Sequence, residues 1–428
     1  MDRSVFDSHA YRRSRGAYRA QCTFEYLITI LMSDSYLAKL LSDIGVGDTF
    51  IGIISSFIAA AFLFQLAAIF LAPRIKNVKR AAIIFHVTSQ VIFASLYFVP
   101  TLPFPGGVKT FIVVSGILIA YSFRYTVLSI IYRWANSFVD PEKRGVYSAG
   151  KEMISLIVGI VFSLSIGMLI DGFEAAGNLR GGFLVVAVIG LIISGLDLVT
   201  LSLIENRAEP ENASKIPVRK VISGLIGNRG FRSVVILNVL WQSACYLTIG
   251  FLGIYKIRDL ALTVGAVQMI NILGNFCRFL VSRGFGRYSD RTSYARGIGL
   301  AMMIAAAAFF VNVFTTPKTW YLIIVYTILY SACLAGTEQN FSNIVYSCVP
   351  ETSFVQANAI KNSIGGIFGF ISSMIGSRIL GAVQANGNTI FGVTVYGQQA
   401  LSLISLILIV AAMIYNRAVI SKRSVMGQ

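Results

Sequence analysis

Acidic residues, histidines and prolines are scarce in this chain. With 19 Asp and Glu, two His and nine Pro among 428 residues, charged side chains make up 13% of the sequence, whereas soluble domains carry about a quarter. The shortage argues against a water-soluble fold. It also removes most enzyme chemistry. His9 and His86 lie outside any H-E-x-x-H pattern, and no G-x-S-x-G motif or G-x-x-x-x-G-K-S/T phosphate loop is present. The five cysteines, Cys22, Cys245, Cys277, Cys333 and Cys348, sit in or beside apolar runs without C-x-x-C spacing. Neither a zinc site nor a disulfide framework is therefore expected, and no metal or other cofactor. The first twenty residues lack an apolar core and are rich in Arg, so no cleavable leader is read there.

Apolar length is what the chain has in abundance. Hydrophobic residues make up 56% and the mean hydropathy is +0.73. A bilayer core takes about 20 apolar residues per helical crossing. Twelve such runs follow one another, over 22–41, 49–72, 81–99, 110–133, 146–170, 182–204, 231–255, 263–284, 297–315, 320–345, 362–383 and 398–416. The expected fold is an all-α polytopic membrane protein, with the lipid bilayer as its first partner. The net charge of +17 follows membrane topology and does not call for nucleic acid. With the amino terminus inside, the cytoplasmic segments hold 27 basic residues. The opposite side and its adjoining helix ends hold six: Lys39, Lys109, Arg180, Lys256, Arg258 and Lys318. The positive-inside rule produces this bias. It places both termini in the cytoplasm of a multi-pass protein, assigned to the plasma membrane and read as a monomer.

One long connector has soluble character, from Glu205 to Gly230, with Pro210, Pro217 and a run of basic residues. It divides the chain into an amino-terminal segment (1–21), a six-helix bundle (22–204), a cytoplasmic linker (205–230), a second six-helix bundle (231–416) and a tail (417–428). An offset of 209 positions aligns Tyr121-Ser122 with Tyr330-Ser331, Pro141-Glu142 with Pro350-Glu351 and Ile166-Gly167 with Ile375-Gly376; eight of the 32 positions from Pro141 to Gly172 are identical. One offset serving two consecutive helices and their loop points to a duplicated unit, with two pseudo-symmetric bundles related by an axis along the membrane normal.

Gly286-Arg287-Tyr288-Ser289-Asp290-Arg291, after the eighth span, is similar to the G-x-x-x-D-R motif of the major facilitator superfamily, and Pro141-Glu142-Lys143-Arg144-Gly145 to that family's loop before the fifth span. The chain resembles this family over essentially its whole length. The loop after the second span, Ala72 to Arg80, keeps the basic residues but lacks the aspartate, and the fifth span has no Gly-Pro pair of the kind associated with drug:proton antiporters. The resemblance implies a secondary transporter whose halves rock about a central site. On that reading Gly286, Asp290 and Arg291 form a gating loop. Without the family, Asp290 beside two arginines still suits charge-assisted contacts with helix ends, and the plainer reading is that the arginines enforce topology.

Charged groups inside the spans are costly, and normally face a partner or a cavity. Here they are Glu25, Asp34, Arg124, Asp197, Arg278, Glu338 and Arg378. Counting inward at about 1.5 Å per residue brings Asp34 level with Arg124, and Arg278 level with Glu338. These four are the candidates for coupling or for structural charge pairs. Glu25, nearer the rim, projects from the opposite side of the first span to Asp34. The eighth span carries Gln268, Asn271, Asn275, Arg278 and Ser282 at helical spacing, and reads as one hydrated wall. The seventh offers Asn238, Trp241, Gln242 and Cys245. Ser122, Tyr125, Ser129 and Tyr132 follow one another on the fourth, beside Tyr121 and Arg124. Tyr326, Tyr330, Thr337 and Asn340 do so on the tenth. Tyr121, Arg124, Tyr125, Asn238, Trp241, Gln242, Asn271, Asn275, Tyr326 and Tyr330 are taken as the substrate-binding set, against the alternative that such stripes bond neighbouring helices. Gly159, Gly167, Gly365, Gly366, Gly369 and Gly376 permit close helix approach.

The expected function is alternating-access transport of a small organic solute, with coupling to a proton or sodium gradient as one form of it. Amides, hydroxyls and aromatic faces suit a sugar-like solute, and Arg124 and Arg278 suit a carboxylate. Efflux of an amphipathic compound, a non-transporting membrane sensor and an intramembrane enzyme are the competing readings.

Overall fold

The apolar runs form helices because no other backbone arrangement satisfies its own polar groups over such a length of lipid-facing chain. In the computed structural model, which describes residues 8–71, 75, 77–139, 144–205, 218–350, 353–390 and 393–421, eleven helical stretches are long and apolar enough to cross a membrane. The first span is too polar to count among them. It is made of α1 (His9–Leu31) and α2 (Asp34–Asp43), and α1 begins at His9, inside the segment to residue 21 that the sequence places ahead of the first span. The Leu31 carbonyl at the break between them accepts a hydrogen bond from the Tyr97 hydroxyl at 2.6 Å.

The second span departs further from expectation. In place of one helix over 49–72 there are three pieces, α3 (Asp48–Ser55), α4 (Phe57–Ala61) and α5 (Phe64–Leu71). The Ser56 hydroxyl turns back to the Gly52 carbonyl at 2.9 Å, a bond that competes with the helix ladder. α6 (Val78–Ala82) continues through a π-helical turn, Ile83–Val87, into α7 (Thr88–Ser95), which ends in a 3₁₀ turn, Leu96–Thr101. Then come α8 (Gly106–Asn136), α9 (Arg144–Ala175) and α10 (Leu179–Leu203). α11 (Val218–Gly227) lies inside the segment read as a linker. It precedes α12 (Arg229–Ile254), α13 (Val264–Arg291), α14 (Tyr294–Val313), α15 (Leu322–Tyr346), α16 (Phe354–Ala385) and α17 (Gly397–Tyr415). A π turn, Tyr255–Asp259, extends α12, and another, Asn416–Ile420, extends α17. Thr389–Ile390 and Val393–Thr394 pair as a two-residue antiparallel ladder. Side-chain caps mark several starts: Asn178 accepts from the Gly181 amide, Asn228 from Phe231 and Thr263 from Ala266.

The chain divides into two compact units, residues 1–46 with 64–215 and residues 47–63 with 216–428. The assignment of 47–63 differs from the bundle boundaries read from sequence. In the first unit α1 packs on α9 and α10, α7 on α8 and α10, and α5 on α8. Tyr18, Val127, Ile131, Trp134, Phe138, Tyr147 and Leu201 form an apolar core there. Arg15 donates to the Phe138 carbonyl, and the Tyr147 hydroxyl donates to that of Arg15. The Arg19 guanidinium stands 4.7 Å from the centre of the Tyr147 ring. Lys39 pairs with Glu174, and Arg180 lies 3.5 Å from Asp43. Met153, Ile157, Val161 and Met168 stand exposed along one stripe of α9, as a lipid-facing side requires.

In the second unit α12 packs on α16 and α17, α14 on α15 and α17, and α13 on α15. α3 and α4 lie against α12 and α16. The approach is close enough that a Cβ on Gly250 would stand 2.6 Å from the Gly52 carbonyl oxygen, and one on Gly366 would strike that of Ala59. Asp48, at the start of α3, accepts from Arg258 and, at 3.2 Å, from Gln384.

Candidate functional site

The main polar cluster of the first unit is built from four chain segments. Gln21 and Glu25 are one helical turn apart and share a face of α1. His86 lies in the π turn after α6, a local widening often found at functional positions, and Gln90 stands one turn further on α7. Arg124 projects from α8 between Tyr121 and Tyr125, and Asp197 from α10. The Arg124 guanidinium donates to Glu25 at 2.8 Å, and Gln21 donates to the other oxygen of that carboxylate at 3.2 Å. His86 Nε2 lies 2.9 Å from Asp197 Oδ2 and 3.1 Å from the amide nitrogens of Gln21 and Gln90.

Two zones of different exposure result. The side chains of Arg124 and Glu25 keep 13% and 15% of their surface, while His86 and Asp197 keep 1% each. Arg124 Nε has no hydrogen-bond partner among the described residues. The Tyr121 and Tyr125 rings stand 6.0 Å apart, and Phe93 meets Tyr121 edge-on at 5.0 Å. A fixed cation with an unused donor, a carboxylate and two phenol rings therefore share one small region. It is suited to recognising a polar group that both accepts hydrogen bonds and stacks.

The expected partner of Arg124 was Asp34, matched to it by depth. The partner found is Glu25, which the same count had set aside, and the side chain of Asp34 lies outside the described residues. So do those of Ser129 and Tyr132, and so do Ala72–Arg74, Lys76 and Pro141–Lys143. The depth count missed Glu25 because it supplies one coordinate only. The break at Met32–Ser33 resets the rotational phase between Glu25 and Asp34, and their places on one uninterrupted helix no longer apply. Enzyme motifs alone do not single out His86. The signal for it was available, since His86/Gln90 and Gln21/Glu25 are two polar pairs at a spacing of four on otherwise apolar faces.

In the second unit Arg278 and Glu338 form an ion pair at 2.5 Å. The amide of Asn238 is buried and donates to the Lys361 carbonyl at 3.1 Å. Trp241 is buried beside it on α12 and Gln242 half-buried. On α13, Asn271 accepts from Lys256 at 3.3 Å, and Asn275 is half-buried. Tyr326 and Tyr330 stack at 5.7 Å, each ring 5.9 Å from Phe309. Gly286, Asp290 and Arg291 are not in a loop: α13 runs on to Arg291, which places them on its last two turns, with Asp290 and Arg291 exposed. Only Thr292 and Ser293 separate the two helices, with Ser293 capping α14 by accepting from the Arg296 amide. Among the described residues no group of three or more His, Cys, Asp or Glu side chains is placed to hold a metal ion.

Membrane-length helices that carry charged side chains into the interior of a unit are found in transporters. Residues 21–377 match the sequence profile of the Major Facilitator Superfamily, and the chain belongs to that family. Its general activity is accordingly secondary transport, and it is an integral multi-pass membrane protein. Among solved structures it is similar to the nucleoside transporter NupG, at 14% identity with a TM-score of 0.70, covering 95% of this chain and 98% of that one. It is similar to the POT family transporter PepTSo at 10% identity and 0.71, covering 95% and 98%. A D-xylose-proton symporter matches at 12% identity and 0.68, covering 95% and 97%. At these identities the likeness concerns the fold. No curated protein matches.

Proposed function

We propose that this protein carries a small polar organic solute across the plasma membrane by alternating access, driven by an ion gradient, with Arg124 as the anchoring group. The observation that carries this reading is the Arg124 side chain itself. It is half-buried within the first unit, paired to Glu25 on one edge, and has an Nε donor without a partner among the described residues. A cation inside a span normally faces a partner or a pathway, and a guanidinium presents two edges to planar acceptors. A solute carboxylate, or hydroxyls on a ring stacked against Tyr121 or Tyr125, fits the second edge. Asn238, Trp241, Gln242, Asn271, Asn275, Tyr326 and Tyr330 are proposed as the second unit's polar surface for the solute. Gly286, Asp290 and Arg291 are proposed as gating residues, and Arg278 with Glu338 as a charge pair that changes partners during the cycle.

The test is thermal unfolding of the purified protein against nucleosides, dipeptides, pentoses and small carboxylates. A ligand present at 100 times its Kd stabilises the folded state by about 2.7 kcal/mol. One class is expected to raise Tm with dose in wild type, and to do so much less in Arg124→Lys, which cannot offer a planar fork. If amphipathic cations shift Tm and no polar solute does, efflux replaces this reading. Orientation has its own expected outcome. Cysteines introduced at Pro210 or Ser424, both outside the described residues, are expected to resist impermeant maleimide in intact cells and to react once the cells are opened; labelling in intact cells would invert the topology.

A further inference from the structure

We infer that His86 and Asp197 form a binding site for one exchangeable proton, a buried carrier of the coupling ion behind the Glu25–Arg124 pair. The inference rests on the transport reading for its purpose, though not for its test. The argument starts from charge. Glu25, Arg124 and Asp197 sum to one negative charge if His86 is neutral, and to none if the pair holds a proton. An unbalanced charge is disfavoured inside a span, so the cluster gains by taking a proton from solvent, as an N–H bond that makes His86 imidazolium beside Asp197, and returns it to solvent by breaking that bond.

The geometry fits this use. Nε2 and Oδ2 stand 2.9 Å apart, close enough for the carboxylate charge to act directly on the imidazole. His86 Nδ1 and both Asp197 carboxylate oxygens are buried with no hydrogen-bond partner among the described residues, which leaves positions on both groups open to a proton. The ionised groups acting on the imidazole are Asp197 from α10, Glu25 from α1 and Arg124 from α8. On α6, Lys79 is turned to the Ser202 carbonyl at 2.6 Å and Arg80 is exposed. α7 contributes the neutral Gln90. On α9, Lys151 stands over the Tyr18 ring. Gln21 touches both His86 and Glu25, so the charge on the imidazole is felt where Arg124 is held. Proton binding and solute binding then act on one ion pair, as reciprocal linkage between them requires.

A packing role alone would not call for these residues. The third and sixth spans of the second unit, α14 and α17, make the corresponding contact with neutral groups. There Asn312 donates to Ser402 at 2.8 Å and Asn416 to the Ala295 carbonyl at 2.9 Å. Among the described residues, these hydrogen bonds of the second unit join neutral groups, where the first unit has a titratable pair.

The chain's two histidines make the test direct. Full-length protein labelled with ¹⁵N-imidazole histidine is placed in lipid nanodiscs, with His9→Gln assigning the signals, and titrated between about pH 5 and pH 9, where histidine charge changes fall. His86 is expected to pass once between neutral and imidazolium patterns. Its proton affinity is expected to fall about tenfold or more in Asp197→Asn, as loss of an adjacent opposite charge dictates, and by a smaller factor in Glu25→Gln. A single His86 state across the range in wild type overturns the proposal, as does an unaltered titration in Asp197→Asn. Should Asp197→Asn not fold, an unaltered titration in Glu25→Gln overturns it. No solute is needed, so failure here leaves the transport reading standing, and failure to find a solute leaves this result standing.

Discussion

Replacing Arg124 with leucine is expected to cost about 3–5 kcal/mol of stability and to abolish transport, and adding Glu25→Leu is expected to restore most of the stability but none of the transport. The guanidinium lies 2.8 Å from a carboxylate that keeps 15% of its surface, and its removal leaves that charge inside the unit without compensation. Asp197 deepens the effect, since the truncated cluster then holds two carboxylates against one titratable imidazole. Breaking a buried pair is costly because the surviving partner has been desolvated, whereas replacing both partners with apolar groups removes the cost together with the attraction. Thermal unfolding of the two singles and the double in one detergent measures the coupling. Equal instability in Arg124→Leu and in the double would mean that the pair contributes nothing through its charges. The Glu25→Leu single is expected to fall between them, because an arginine can reach outward along its apolar stem.

A methyl group at Gly366 is expected to destabilise the second unit by about 1–3 kcal/mol, and Gly366→Val by more. The added Cβ would strike the Ala59 carbonyl oxygen and stand 3.1 Å from the Phe62 Cβ. The obstruction at Ala59 is backbone, so relief requires α4 to move away from α16, and the bond from Ser363 to the Phe62 carbonyl at 2.7 Å is lost with it. Gly250→Ala meets the same kind of obstacle at the Gly52 carbonyl on the α12 side. Gly284→Ala is the control. It lies in α13 with nothing within 4 Å of the new atom, and is expected to be neutral or to stabilise by about 0.5–1 kcal/mol through the lower backbone entropy of alanine. A Tm for Gly366→Ala no lower than that of Gly284→Ala would show that α4 is not held against α16.

Much of the architecture was legible in sequence because it depends on quantities that accumulate along the chain. Apolar runs of bilayer length announce helices wherever they occur, and the offset aligning Pro141 with Pro350 announces the duplication. The depth count brought Arg278 level with Glu338, and the two form an ion pair at 2.5 Å, because the helices carrying them are long and unbroken. The same count failed for Arg124, where the first span is interrupted at Met32–Ser33.

By itself the sequence determined the class of fold, the number of spans to within one and the family, since hydropathy, spacing and motif are local along the chain. Only the tertiary structure decided that Glu25 is the partner of Arg124, that His86 meets Asp197 across separate helices, and that residues 47–63 pack with the second unit. Those outcomes depend on the rotation of each helix about its axis and on where helices break. Both are set by packing at points such as Gly250 against Gly52 and Gly366 against Ala59, between residues hundreds of positions apart or nearly so, where no pattern along the chain records which face meets which.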